Sequence, residues 1–251
     1  MVAGDGRSKP DPRPHESSPS PSPSRLSGTL RGVIIVLGRP ALALPPASLP
    51  PASPPLAPRT HRDDTRGFDG RDGLDGLGAL VAVATAGTGA AVQLVGSVGD
   101  DREGDEVIIR LGRAGVGHAA LLRDPAGRTP VTGLEREPVP RFDAQDVELG
   151  LRYLSEVRVL VLAEPLDGEA QAVALEGARY HGAEVVALVT SGSVPDPDLA
   201  DAGTVLEAPP EDLEAFVQVV ARYAAGMEAG KSAAEAFREA TDAVGWERAD
   251  A

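Results

Sequence analysis

The sequence predicts an α/β fold built on a mostly parallel sheet. Short, largely apolar runs recur along the chain, as in Gly32-Val-Ile-Ile-Val-Leu-Gly38 and Val157–Ala163. Such runs suit strands buried on both faces. Helix-length segments with a 3.6-residue apolar period stand between them. Strands alternating with helices place helices on both faces of a parallel sheet. Ligands of such sheets bind at the carboxyl ends of the strands.

The 251 residues suit one domain plus a tail. Residues 1–30 are rich in Pro, Ser and charge, bury too little to offset their ordering entropy, and are expected to be disordered. Residues 31–251 form the predicted domain. It opens on a strand at Val33–Leu37, followed by a proline-dense loop over about 41–66 that excludes central strands and helices. A helix is expected over Gly76–Thr88, closed by Gly87 and Gly89, then a strand at Val92–Val98. Asp105–Ala114 places Val107, Ile108 and Leu111 on one helical face. His118–Arg123 reads as a short strand. Asp143 is a candidate N-cap for a helix reaching Ser155. Val157–Ala163 is a strand, Asp167 caps a helix ending at His181-Gly182, and Glu184–Val189 and Thr204–Leu206 are strands. Pro209-Pro210 opens a long helix carrying Leu213, Phe216, Val217, Val220 and Met227 on one face. Ser232 with Glu235 forms a capping box for the last helix.

Composition narrows the function classes. A formal charge of −14 repels nucleic-acid phosphates and anionic lipid, so neither is expected as a partner. Zero cysteines exclude disulfides, thiol nucleophiles and zinc–thiolate sites. No run approaches the roughly 18 apolar residues of a membrane span. The N-terminus carries no apolar core of the signal-peptide kind, and a cytoplasmic protein is expected.

The stretch Asp75–Gly104, DGLGALVAVATAGTGAAVQLVGSVGDDREG, resembles the first signature of the PfkB, or ribokinase-like, carbohydrate kinases: a Gly-Gly-x-Gly-x-Asn block, a helix, a strand, then Gly-Asp-Asp-x-x-Gly. Leu111–Val131 is similar to the family's segment running from Leu-x-x-x-Gly-Val through a strand to an Arg-Thr. Leu160–Pro165 resembles its strand ending in a substrate-side Glu, and Ala208–Phe216 its Pro-Asn-Glu-x-Glu block. The resemblance covers about Gly32 to Val220. It implies a three-layer α/β/α fold with a mostly parallel sheet, incomplete at the C-terminal half.

For function, the resemblance implies a sugar or nucleoside ligand, ATP and Mg²⁺ as cofactors of an active member, and a homodimer formed through paired lids. It makes Gly76, Gly78 and Glu164 candidates for substrate binding and Glu211 a candidate for holding a magnesium-bound water. Each has a plainer explanation. The glycines suit a tight approach to a helix start. Glu164 suits a solvated strand end, and Glu211 an acidic first turn. Asp100, Asp101, Glu103, Asp105 and Glu106 form an acidic cluster that reads as a loop leading into a helix.

The departures bear on activity. Ala41 and Ala43 stand where the family holds sugar hydroxyls with Asn-x-Asp, Leu80 replaces the Asn of the glycine block, and Pro210 replaces that of Pro-Asn-Glu. No Gly-Ala-Gly-Asp occurs. In the family those glycines open a helix whose amides hold the transferring phosphate, and the Asp takes the hydroxyl proton; phosphoryl transfer rests almost wholly on such positioning. Glu211–Phe216 aligns to that motif only without glycine, with Glu214 as the base. Three readings follow: a sugar-kinase-like protein without catalysis, a divergent active kinase, and a non-enzymatic interaction protein.

Overall fold

Strand β1, Val33–Leu37, contains only Val, Ile and Leu, and four of its five residues are buried. The computed structural model describes Met1 and residues 32–43 and 73–245; both long stretches belong to one unit, Arg31–Ala251. The expected tail 1–30 and most of the proline-rich loop lie outside the described residues. Where that loop begins, Ala41–Leu42 (β2) pairs antiparallel with Leu74–Asp75 (β3). These two residues precede the first loop proline, Pro45, and keep their N–H donors; Leu42 N donates to the Pro130 carbonyl at 3.0 Å.

The chain then alternates as its periodicity requires: α1 (Leu77–Gly87), β4 (Ala91–Gly99), α2 (Arg102–Arg113), β5 (Leu121–Asp124), α3 (Ala144–Arg152), β6 (Val157–Leu162), α4 (Gly168–His181), β7 (Glu184–Thr190), α5 (Pro197–Ala202), β8 (Gly203–Ala208), α6 (Leu213–Glu228) and α7 (Ala233–Val244). The six-stranded sheet has the order β5-β4-β1-β6-β7-β8, and every pairing in it is parallel.

Alternate residues of β1 feed two cores. Ile34 and Val36 pack with Leu80 of α1, Leu111 of α2, Val217 of α6 and Ala236 of α7. Ile35 and Leu37 pack with Leu151 of α3, Leu175 of α4 and Leu199 of α5. This is the three-layer α/β/α arrangement expected from the sequence.

Several boundaries differ from expectation, and local caps explain them. α2 begins at Arg102 rather than Asp105, because the Asp101 carboxylate accepts the Gly104 N–H at 2.9 Å. α6 begins at Leu213, three residues past Pro210, because Asp212 is its N-cap in a left-handed conformation (φ 58°). α3 stops at Arg152, short of Ser155, with Tyr153 as C-cap. The one-and-a-half-turn α5 has too few residues for an apolar period and was not expected. Asp143, Asp167 and Ser232 cap their helices as predicted, but the reciprocal capping box expected of Ser232 and Glu235 forms instead at Asp143 and Asp146.

Candidate functional site at the sheet switch point

The order of the strands locates the site. From β1 the chain crosses to β4 on one side, and from β6 it crosses to β7 on the other. The carboxyl ends of the neighbours β1 and β6 therefore flank the topological switch point, where open α/β sheets leave a crevice. β1 delivers Gly38 and Arg39 to this point, and β6 delivers Ala163 and Glu164.

Arg39 and Glu164 meet there. The Arg39 backbone N–H donates to Glu164 Oε1 at 3.1 Å and its Nε donates to the same oxygen at 2.9 Å. The side chains are 36% and 25% exposed, so the pair is partly open to solvent at this strand edge. Glu164 Oε2 has no hydrogen-bond partner among the described residues.

The start of α1 closes against the same strand end. Gly76, its N-cap, has φ 84°, and a Cβ there would lie 2.7 Å from the Arg39 carbonyl oxygen. A Cβ on Gly78 would lie 3.0 Å from the Gly38 Cα. Both glycines therefore admit the protein's own β1 backbone. The Asp75 carboxylate accepts the Gly76 N–H at 2.7 Å through one oxygen and the Thr132 hydroxyl through the other. Ala41 is buried in β2 and presents no polar group.

The second helix start at this edge is α6, which follows the parallel strand β8 after a four-residue loop and packs against α1, β1 and β6. Its first turn is acidic. Asp212 accepts the Ala215 N–H at 3.3 Å, Glu214 is partly buried in the first turn, and Glu211 is exposed in the loop. No glycine lies between Val205 and Val220. Beside it, Glu207 accepts the Ser191 hydroxyl and the Gly192 N–H, both at 2.8 Å, and these bonds hold its carboxyl below the usual range.

The Asp100–Glu106 cluster forms a closed network with its own cations. Asp101 accepts the Thr129 hydroxyl at 2.6 Å, the Thr129 N–H at 3.0 Å and the Gly104 N–H at 2.9 Å. Arg136 joins Asp101 to Glu103 at 3.3 and 2.9 Å. Arg123 binds Asp105 at 2.6 Å and Asp100 at 3.4 Å. Burial pushes the Asp101 carboxyl up, but the Thr129 and Gly104 hydrogen bonds and the Arg136 charge together hold it below its ordinary value. Among the described residues no three His, Asp or Glu side chains are arranged to hold a metal ion.

No family model matches the sequence, and no curated protein matches it. Solved structures match its fold. A PfkB protein from Polaromonas is 14% identical with a TM-score of 0.54, over 83% of this chain and 92% of that one. A putative ribokinase II from E. coli is 13% identical with a TM-score of 0.53, over 84% and 90%. The aminoimidazole riboside kinase of Salmonella enterica is 15% identical with a TM-score of 0.53, over 83% and 90%.

The fold is ribokinase-like.

On this ribokinase-like frame the structure brings three of the four sequence candidates together. Gly76 and Gly78 pack on the strand end that precedes Arg39, and Glu164 is bound to Arg39. Glu211 stands apart in the β8–α6 loop and makes no ion pair among the described residues. Sequence reasoning missed Arg39, which lies 125 residues from its partner, and Arg136. It did carry a trace of the Asp101–Thr129 contact, since the Gly-Asp-Asp and Arg-Thr segments are both parts of the ribokinase-like pattern.

Proposed function

We propose that this chain is a sugar-kinase-like protein that retains a small-ligand crevice at the switch point and does not transfer phosphate. The observation that carries the reading is the start of α6. A helix that receives phosphate needs free amides and close backbone approach, usually through glycine. Here the Asp212 carboxylate takes the Ala215 amide, glycine is absent, and Glu211 and Glu214 add negative charge beside any incoming phosphate. The residues present do not fit a nucleotide phosphate. One fold neighbour, the putative ribokinase II from E. coli, has been crystallised with ATP and Mg²⁺, and ATP with Mg²⁺ is what an active relative of this fold would use. For the ligand, the crevice offers Glu164 Oε2, the terminal nitrogens of Arg39 and backbone groups, a set suited to the hydroxyls of a neutral sugar or nucleoside.

The second reading, a divergent active kinase, is favoured by one feature: Glu214 sits in the first turn of a helix packed on α1, where the glycine-free alignment of Glu211–Phe216 would put a base. Release of ADP by the purified chain with MgATP separates the two, using a panel of sugars, sugar phosphates and nucleosides. The expected result is no release above a no-acceptor control. Turnover that disappears in Glu214→Gln overturns the proposed loss of transfer.

A further inference from the structure

A cavity of 210 Å³ lies at the carboxyl ends of β4 and β5, beside the first turn of α3. None of its lining residues belongs to the switch-point site. One of them is Ser97 of β4. Thr85, Ser97 and Thr129 are the buried polar side chains among the described residues. The Thr85 hydroxyl donates to the Val81 carbonyl at 2.7 Å, and the Thr129 hydroxyl to Asp101 at 2.6 Å. Ser97 is 1% exposed, and its hydroxyl has no partner among the described residues. Gln93 Oε1 is also without a partner, but Gln93 does not line this cavity. A buried hydroxyl left without a hydrogen bond is costly. Val95, two residues earlier on the same face of β4, packs in the second core, so the fold alone would be served by an apolar side chain at position 97.

The ionic groups of the cavity are unbalanced. Asp124 and Asp146 line it half-buried, and neither makes an ion pair among the described residues. Asp146 accepts the Asp143 N–H through Oδ2 at 3.0 Å, and its Oδ1 accepts no hydrogen bond among the described residues. Asp124 accepts the Ala126 N–H at 2.9 Å through Oδ1 and the Arg141 N–H at 2.7 Å through Oδ2; each of these oxygens keeps a second lone pair. The two arginines of the lining are engaged elsewhere. Arg123 directs its terminal nitrogens to Asp105 and Asp100, and the exposed Arg141 binds Asp143 through Nη2. Two half-buried carboxylates in one cavity repel each other and favour a cation between them. With the Ser97 hydroxyl they make three acceptors, the number of N–H donors on a primary ammonium.

We propose that this cavity binds a small primary ammonium group, held by the Ser97 hydroxyl and the Asp124 and Asp146 carboxylates. The group belongs either to an amino acid or to a simple amine. Arg141 distinguishes these sources, because Nε and Nη1 can pair with the carboxylate of an amino acid and find no partner on an amine.

Calorimetric titration of the full chain at constant ionic strength tests this, with ethylammonium chloride and glycine as probes and tetramethylammonium and potassium chlorides as controls. Saturable binding of ethylammonium or glycine is expected by tens of millimolar. Tetramethylammonium, which has no N–H, and potassium are expected to give none. Glycine binding more tightly than ethylammonium, with the margin lost in Arg141→Gln, assigns the site to an amino acid; equal affinities assign it to an amine. Ser97→Ala and Asp146→Asn are each expected to weaken binding about tenfold or more. Ser97 has no internal hydrogen bond to lose, so the urea midpoint of unliganded Ser97→Ala is expected to match or exceed that of the wild type, which separates lost binding from lost folding. Failure of both probes to bind overturns the proposal. So does a control that binds as tightly as the probes, or either variant binding them as the wild type does.

Discussion

Asp101 binds two segments that are 28 residues apart in sequence: it caps α2 through Gly104 and anchors the loop at Thr129. Its carboxyl titrates below the ordinary value of 3.8. A depressed native pKa adds stability above the unfolded value, and that stability is lost as pH falls through the native one. The difference in unfolding free energy between wild type and Asp101→Asn is therefore expected to shrink as pH drops from about 5 to about 3. Urea denaturation at several pH values measures it, and a difference that stays constant over that range contradicts the assignment. Arg39 belongs to a different class. Its pair with Glu164 is partly exposed, and such pairs contribute about 0–1 kcal/mol, so its interest lies in what it presents to the crevice. The partner of Arg39 was not legible from local sequence, and the Asp101–Thr129 contact left a trace only in the family pattern. Periodicity reports on neighbours three or four residues away, and these bonds close only when distant strand ends meet.

At the scale of elements, what was legible and what was not divide by length. β1 and β6 stood out because five and six consecutive residues are almost all apolar. α4 stood out through Asp167 at its start and Gly182 at its end. α5 has six residues, no period to detect, and only Leu199 buried. The junction of α1 with β1 depends on two glycines whose sequence pattern was visible while their contacts were not. They were candidates for approach to a ligand, and they face the protein's own backbone. Gly76→Ala places a Cβ against the Arg39 carbonyl and forces φ 84° on a residue that avoids it. A loss of about 1–3 kcal/mol is expected, read from the urea midpoint. A midpoint unchanged within error would mean that α1 can retreat from β1.

Across the whole molecule, the alternation of strand and helix was enough to fix the layers, because a parallel sheet leaves few topologies open. The switch point follows from that order, and it collects Gly76, Gly78, Arg39 and Glu164 at one edge of the sheet. The sequence placed Ala208–Phe216 on the Pro-Asn-Glu block and aligned Glu211–Phe216 to the phosphate-holding motif only without glycine; the structure adds that Asp212 caps the start of α6. Negative charge at that edge and an occupied amide both oppose a triphosphate. Calorimetric titration of the full chain with MgATP tests this most directly. The account predicts no saturable heat up to millimolar nucleotide. A saturable isotherm that ADP displaces, and that weakens on Glu211→Ala, would contradict it.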